Sequence, residues 1–414
     1  MVETCIPRKI KLPSHVAAFR CAQCGECCTN KWRIDIDAVS FDKLSEKLTE
    51  LGRQQELEEN FKRCYLTPRF RFLPNGKCPY LSDSNLCRIQ LELGEDYLFD
   101  ICKVYPRHIF ASPDALEFSL TLTCKAAVKT LHQEKIKIIE TDWPAKEGQD
   151  INFSFIQPNA VRRYYPAQSP FNDARLPYSL LETRFIELVQ DRRYTVGQRL
   201  VLLGRVLCRL LSESESPGGI NINECFHIEE ERLCLDGTGD LKEHLELLFE
   251  LSNIFLLISR KTIEAQNLRW ILLSLSPDTP HLTETADKAA RKVPPPPPDE
   301  YRQKLERYYQ PAASISEGIL ENYLVNFVLS KSFYLRPPDL AFYRMAFKYA
   351  AAVAFCIGHS ISANRSVDKQ TVLQAVYDVE NTFYGAWFYP YAAATHAGKS
   401  PRQILERGLL LAAI

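Results

Sequence analysis

The chain has 414 residues, 46% of them hydrophobic and 25% charged, which are the proportions of a folded protein and exclude a disordered or fibrous one. That length is too great for one compact core and implies two or three domains. Lys plus Arg and Asp plus Glu stand at 51 each, so no global field draws the chain to nucleic acid or to an anionic membrane.

The N-terminal stretch MVETCIPRKIKLPSH lacks the continuous apolar run of a signal peptide, and no later apolar run approaches the roughly 18 residues of a membrane span, so a cytoplasmic location is expected. Ten of the fourteen cysteines precede residue 125. In a reducing compartment disulfides are not the default, and metal ligation is the leading expectation for them. Cys208, Cys225, Cys234 and Cys356 are scattered singly and read as small, buried apolar residues.

In chain order, Phe19-Arg-Cys21-Ala-Gln-Cys24-Gly-Glu-Cys27-Cys28 places four sulfurs within eight residues. Two-residue spacers let a turn aim successive sulfurs at one centre, and Gly25 relieves the backbone where it bends. The adjacent Cys27 and Cys28 should point in different directions and so serve different sites, unless one simply packs. Ser40 to Lys62 predicts an amphipathic helix with Phe41, Leu44, Leu48 and Leu51 on one face and Ser40 as its cap. Cys78, Cys87, Cys102 and Cys124 follow singly. Eight thiols suffice for two four-ligand sites, or for one cluster with structural cysteines nearby. Zinc and iron–sulfur both accept four cysteines and are not separated by ligand count. Arg88, Lys103, Arg107 and Lys125 lie near these cysteines in sequence, where cations would favour thiolate. Period-two alternation is confined to short pieces, Arg33 to Ile36 and Glu117 to Leu122, so any sheet should be small. The turn Asp142-Trp143-Pro144 marks a boundary.

From Leu176 the pattern turns helical. Leu181, Phe185, Leu188 and Val189 form one stripe, and Leu200, Leu203, Leu207, Leu210 and Leu211 form another. Ser212 to Asn223 reads as a loop, and Asp240 caps a helix whose face holds Leu241, Leu245, Leu248, Phe249 and Phe255. Pro294 to Pro298 predict an extended polyproline spacer. Further helices are expected at Glu300 to Tyr309, Ser316 to Ser332, Leu340 to Gly358 and Val367 to Tyr384. The fold class is mainly α, with an N-terminal cysteine-rich α+β metal-binding module (1–145), a helical domain (146–292), the polyproline linker (293–299) and a helical C-terminal domain (300–414).

The segments FRCAQCGECCTNKW at 19–32, CPYLSDSNLCRIQLELGEDYL at 78–98, ICKVYPR at 101–107, SLTLTCKAA at 119–127 and ENYLVNF at 321–327 resemble the zinc- or iron-chelating cysteine-cluster family, and within it the flagellin lysine N-methylases. The resemblance implies methyl transfer from S-adenosylmethionine to lysine side chains of a protein, flagellin or another, by an enzyme carrying a four-iron (4Fe–4S) cluster. Cys21, Cys24, Cys27, Cys28, Cys78, Cys87, Cys102 and Cys124 are the expected metal ligands, with iron–sulfur favoured and zinc the alternative. Catalytic residues and the S-adenosylmethionine site are not assigned. The aromatic run Phe383 to Tyr391 and the polar Glu321, Asn322 and Tyr323 are noted as candidates, each with a plain reading as core. The turn Asp236-Gly-Thr-Gly239 lacks the strand–helix setting of a donor site, and His108 reads as a packed histidine. The competing functions are a non-enzymatic zinc- or iron–sulfur-binding interaction protein and a redox sensor responding at Cys27 or Cys28.

Overall fold

A computed structural model describes residues 9–29, 36–62, 68–112, 115–132, 134–142, 162–163, 178–213, 224–225, 227, 241–258, 268–269, 271–272, 274–275, 293–330, 334, 337–383 and 399–412. The chain divides into two compact units, Met1–Thr130 with Lys137–Tyr164, and Leu131–Ile136 with Tyr165–Ile414. The described residues are mainly helical. Arg33 to Asp35, the turn at 143–144, the segment 228–240 with Cys234, and residues 384–391 of the aromatic run lie outside the described residues.

The first unit holds β1 (Lys9–Pro13), β2 (Phe61–Lys62), β3 (Arg69–Phe70), β4 (Arg107–Ala111), β5 (Leu116–Leu120), β6 (Ile138–Asp142) and β7 (Arg162–Arg163). Five of them form one sheet in the order β6-β1-β5-β4-β7, and β2 pairs with β3. This sheet is larger than the alternation suggests. Strand β5 coincides with the alternating piece from Glu117, is buried along its whole length, and pairs parallel to β1 and antiparallel to β4. On and around the β2–β3 pair, Phe61, Phe70 and Phe99 pack mutually with ring centroids 5.2 to 5.8 Å apart, mostly edge to face, and Tyr80 joins them.

The helix expected over Ser40 to Lys62 is two helices, Ala38–Glu50 and Gln55–Asn60, followed by β2. Gly52, with φ 69°, breaks it, and Leu51 at the break is 48% exposed. Its cap is Asp37, one residue before the helix, whose carboxylate accepts from the Ser40 N–H at 2.7 Å. The same carboxylate accepts from the N–H of Asp100 at 3.3 Å, the first residue of the short helix Asp100–Val104 that carries Cys102.

In the second unit Leu181, Phe185, Leu188 and Val189 on helix Tyr178–Val189, and Leu200, Leu203, Leu207 and Leu210 on Val196–Glu213, are buried as expected. The latter runs into the segment read as a loop from Ser212. Leu245, Leu248 and Phe249 are buried on Leu241–Ile258. The proline run is extended only as far as Pro297. Pro298 starts the helix Pro298–Lys304, where its missing N–H costs nothing. Asn253 holds the residue before that run by two bonds, donating to the Val293 carbonyl at 2.7 Å and accepting from its N–H at 2.8 Å.

Helices Ala313–Leu329, Pro338–Ala363, Lys369–Thr382 and Pro401–Ala412 complete the unit. Pro338–Ala363 is long and apolar enough to cross a membrane by length and composition, contrary to the sequence expectation, and 94% of that window is buried inside the protein. The ring of Phe342 on this helix is flanked by Gly204 and Gly408, where any side chain would collide with it.

The helix Ala313–Leu329 is buried on every side from Ile319 onward, yet it carries charge. Glu321 accepts from Arg199 at 2.8 Å, with both side chains almost wholly buried, and from the more exposed Arg192 at 3.0 Å. Tyr323 donates to Glu380 at 2.6 Å, and Glu380 also accepts from the buried Lys348 at 2.5 Å. Burial depresses the Lys348 amine to about 8, against the pull of Glu380. Burial resists ionisation of Glu380, but the charge and hydrogen bond of Lys348 and the Tyr323 hydroxyl outweigh it and leave its carboxyl below the usual range.

Asp37→Ala removes a helix cap and the tie to the Cys102 helix, and is expected to cost about 1–2 kcal/mol in denaturant unfolding. Glu380→Gln leaves the Lys348 charge buried without its counter-ion, and is expected to cost about 3–5 kcal/mol. Replacing Lys348 by Met in the same protein should recover most of that loss, which a purely steric effect at 380 would not allow.

Candidate metal centre

The eight cysteines singled out above line one cavity of about 180 Å³, together with Phe19, Phe70, Tyr80 and Phe99. They are 103 residues apart at the extremes of sequence, Cys21 and Cys124, and four local structures bring them together. In the loop 21–28, Gln23 and Gly25 both have positive φ (52° and 71°), and Gly25 opens a 3₁₀ turn, Glu26–Cys28. A Cβ at Gly25 would lie 2.9 Å from both the Cβ and the carbonyl oxygen of Asn85, so the loop passes where no side chain fits.

Cys78 is tied to that loop by its N–H, which donates to the Cys28 carbonyl at 2.7 Å. Cys87 pairs with Leu81 in an isolated bridge and immediately precedes the helix Arg88–Leu93. Cys102 lies in the first turn of Asp100–Val104, its exposed surface facing the cavity it lines. Cys124 immediately precedes the helix Lys125–Lys129. Cys78 is buried, Cys27, Cys28, Cys87 and Cys124 are half-buried, and Cys21 and Cys24 are exposed.

Cys27 and Cys28 do not diverge as their adjacency suggests. Their sulfurs are 4.0 Å apart and both line the cavity. The crowding acts on ionisation. The bond to Cys28 and then burial push the Cys27 thiol well above its ordinary range. For Cys28, the bond from Cys27 pulls down, but a bond to Cys78, burial and the nearby Cys78 and Cys87 sulfurs outweigh it and raise the thiol to about 12. Burial raises Cys87, against the N–H groups of Gln90 and Ile89. Burial also raises Cys124 to about 11, against those of Ala127 and Ala126. Cys102 is raised by burial and then by Cys28, Cys87 and Cys27.

Of the cations expected beside these thiols, three face carboxylates: Lys125 pairs with Glu26 at 2.9 Å, Arg88 with Glu92 at 2.9 Å and Lys103 with Asp100 at 3.8 Å. Arg107 stacks over the Phe19 ring and faces Cys21. His108 sits on β4 edge to face with Phe110. Among the described residues, no three His, Cys, Asp or Glu side chains stand close enough together to hold a single ion as placed. Cys225 and Cys356 are buried as expected, and Cys208 is half-buried.

The polar candidates of the helical unit are engaged internally. Asn322 accepts from the Ile136 N–H at 3.1 Å and donates to the carbonyls of Leu131 and Glu134 at 3.0 and 3.2 Å. Glu321 and Tyr323 have the buried partners described above, and Phe383 packs edge to face on Phe347.

The family model described as FliB lysine N-methylase C-terminal domain matches residues 183–383. A flagellar biosynthetic protein FliU of Salmonella muenchen is 30% identical over 166 residues, covering 39% of this chain and 93% of that protein. Lysine-N-methylases of Salmonella typhimurium and Salmonella choleraesuis are each 30% identical over 122 residues. Those matches cover 27% of this chain and 29% of the length of each of the two relatives. No solved structure matches the chain significantly.

Gly25→Ala forces the 21–28 loop away from Asn85 at a positive-φ position. It is expected to open the cysteine cavity, read as faster alkylation of Cys27 and Cys28 than in the unsubstituted protein, with a stability loss of at least about 1 kcal/mol.

Proposed function

Because the chain belongs to the flagellin lysine N-methylase family, we propose that it transfers methyl groups from S-adenosylmethionine to lysine side chains of flagellin, and that it does so as an iron–sulfur protein. The observation that carries the cofactor half of this reading is the convergence of eight thiols on one cavity. The acidic groups lining the cavity are the eight thiols and the carboxylate of Glu26, which Lys125 engages at 2.9 Å, and so sulfur-rich a set suits iron–sulfur clusters and zinc better than hard oxygen-seeking cations. Size favours the cluster. A four-coordinate zinc needs its sulfurs only about 3.8 Å apart around one atom. A cavity of about 180 Å³ is several times the roughly 30 Å³ that one water occupies in the liquid, the scale of a polyatomic group.

The residues that would hold the cluster are drawn from Cys21, Cys24, Cys27, Cys28, Cys78, Cys87, Cys102 and Cys124. When bound, a cluster supplies iron that can carry an electron or accept a ligand atom from a substrate. Phe19, Phe70, Tyr80 and Phe99 supply apolar walls that would limit water on their side of a bound cluster. Arg107 beside Cys21 offsets the negative charge that ligated thiolates accumulate.

The transfer itself forms an N–C bond to lysine as the S–C bond of the donor breaks, and releases S-adenosylhomocysteine and, from the amine, a proton. The amine attacks only when neutral, so the reaction should accelerate as pH rises toward the lysine range near 10.4. The free thiols suit a reducing compartment, so the cytoplasm is the proposed location.

The test uses full-length protein purified without oxygen, isotope-labelled S-adenosylmethionine and purified flagellin. Methyl-lysine on flagellin, found by peptide mass spectrometry, is the expected result. Label on another lysine-bearing protein but not on flagellin overturns the substrate. No label on any lysine overturns the activity.

A further inference from the structure

Two helices of the second unit, Pro338–Ala363 and Lys369–Thr382, share two acid–base pairs, both inside the residues matched by the lysine N-methylase model. In the first, Lys348 with Glu380, the side chains are 2% and 10% exposed, closed to a lysine carried on another protein. In the second, His359 with Asp378, they are 28% and 14% exposed, and the imidazole meets solvent.

The open pair has a defined geometry. Nε2 of His359 and Oδ2 of Asp378 are 2.8 Å apart. An ionised carboxylate only accepts, so Nε2 carries the proton and the neutral ring keeps its lone pair on Nδ1. Nδ1 makes no hydrogen bond among the described residues. The carboxylate is itself held, because its other oxygen accepts from the Gln374 carboxamide at 2.8 Å, one turn away on the same helix. Phe355, one turn before His359, lies edge to face with the imidazole, ring centroids 6.3 Å apart. A lysine or arginine would tie the two helices as well. What an imidazole adds is a proton acceptor, and the carboxylate behind it orients the ring and stabilises the imidazolium once a proton arrives.

We propose that His359 is the base that takes the proton from the substrate lysine, with Asp378 and Gln374 as positioning residues behind it. This rests on the methyl-transfer half of the function proposed above and supplies a residue where that reading names none. Lysine reaches the protein as an ammonium at neutral pH, which has no lone pair to attack with. Bonded to Nδ1, the ammonium gives up one proton and becomes the amine. The amine nitrogen then forms the N–C bond as the S–C bond of the donor breaks, and the electron pair of that bond stays on sulfur. The imidazolium passes its proton to water.

The experiment follows methyl transfer from labelled S-adenosylmethionine to purified flagellin, or to the lysine-bearing protein that takes label in its place, by full-length protein purified without oxygen. Rates are measured from about pH 7 to about pH 10, across which lysine gains its free amine. His359→Gln keeps a donor for Asp378 but has no basic nitrogen. Its kcat is expected to fall about 10²-fold or more at the low end of that range, with metal content and denaturant midpoint unchanged, and the deficit to narrow as pH rises. His359→Ala should fall as far and recover when imidazole is added, which restores a base without restoring the tie between the helices. If the alanine variant does not fold, the pH profile of His359→Gln decides. Undiminished kcat in His359→Gln, or a deficit that neither narrows with pH nor yields to imidazole, overturns the role of His359 and leaves the methyl transfer standing. No label on any lysine from the unsubstituted protein overturns the methyl transfer and this inference with it.

Discussion

Burial and crowding around one cavity hold these thiols neutral: burial is the main cause at Cys87, Cys102 and Cys124, the bond to Cys28 at Cys27, and at Cys28 the pull of Cys27 is outweighed by the bond to Cys78 with burial. A thiol-lined cavity is thus a poor place for negative charge until a cation enters. Metal binding must then release several protons together, and part of its free energy goes to undoing that resistance. The return is structural. A cluster bound as proposed would cross-link the 21–28 loop, 78–87, the Asp100–Val104 helix and the segment after β5, of which the first two are already joined by the bond from the Cys78 N–H to the Cys28 carbonyl.

The helical unit uses buried charge differently. The helix Ala313–Leu329 presents three consecutive polar residues to three different neighbours: Glu321 to two arginines, Asn322 to the backbone of Leu131–Ile136, and Tyr323 to the Glu380–Lys348 pair. Buried ion pairs add little net stability, but they penalise any misregistered packing that separates them. A helix apolar all round could rotate or slide at small cost, whereas this one is fixed in rotation by partners on three sides.

Much of this is legible in residue types and little of it in their meetings. The cysteines stand out because thiol chemistry belongs to the residue and the spacing around Gly25 is local. The helix stripes at 181–189 and 200–210 are legible because a period near 3.6 repeats over several turns. The break at Gly52 and the cap at Asp37 are not, since the apolar spacing through Leu51 gives no warning of a turn, and Ser40 is as good a cap by composition. Strand β5 is legible in the alternation of Glu117 to Leu122, whereas the sheet around it is understated because its other strands are only two to five residues long. The partners of Arg199 and Asn322 cannot be read at all. Arg199 and Glu321 are 122 residues apart, and nothing near either one signals the other.

The stretch Leu131–Ile136 belongs to the helical unit although both its flanks belong to the cysteine-rich one. Its backbone groups satisfy the side chains of Asn322 and Gln190. The chain accordingly crosses between the two units three times, and no single cut yields both intact. A polypeptide starting at residue 165 would keep every helix of the second unit yet strand a buried carboxamide at Asn322, while one ending at residue 164 would carry six residues whose covering is gone and leave them bare.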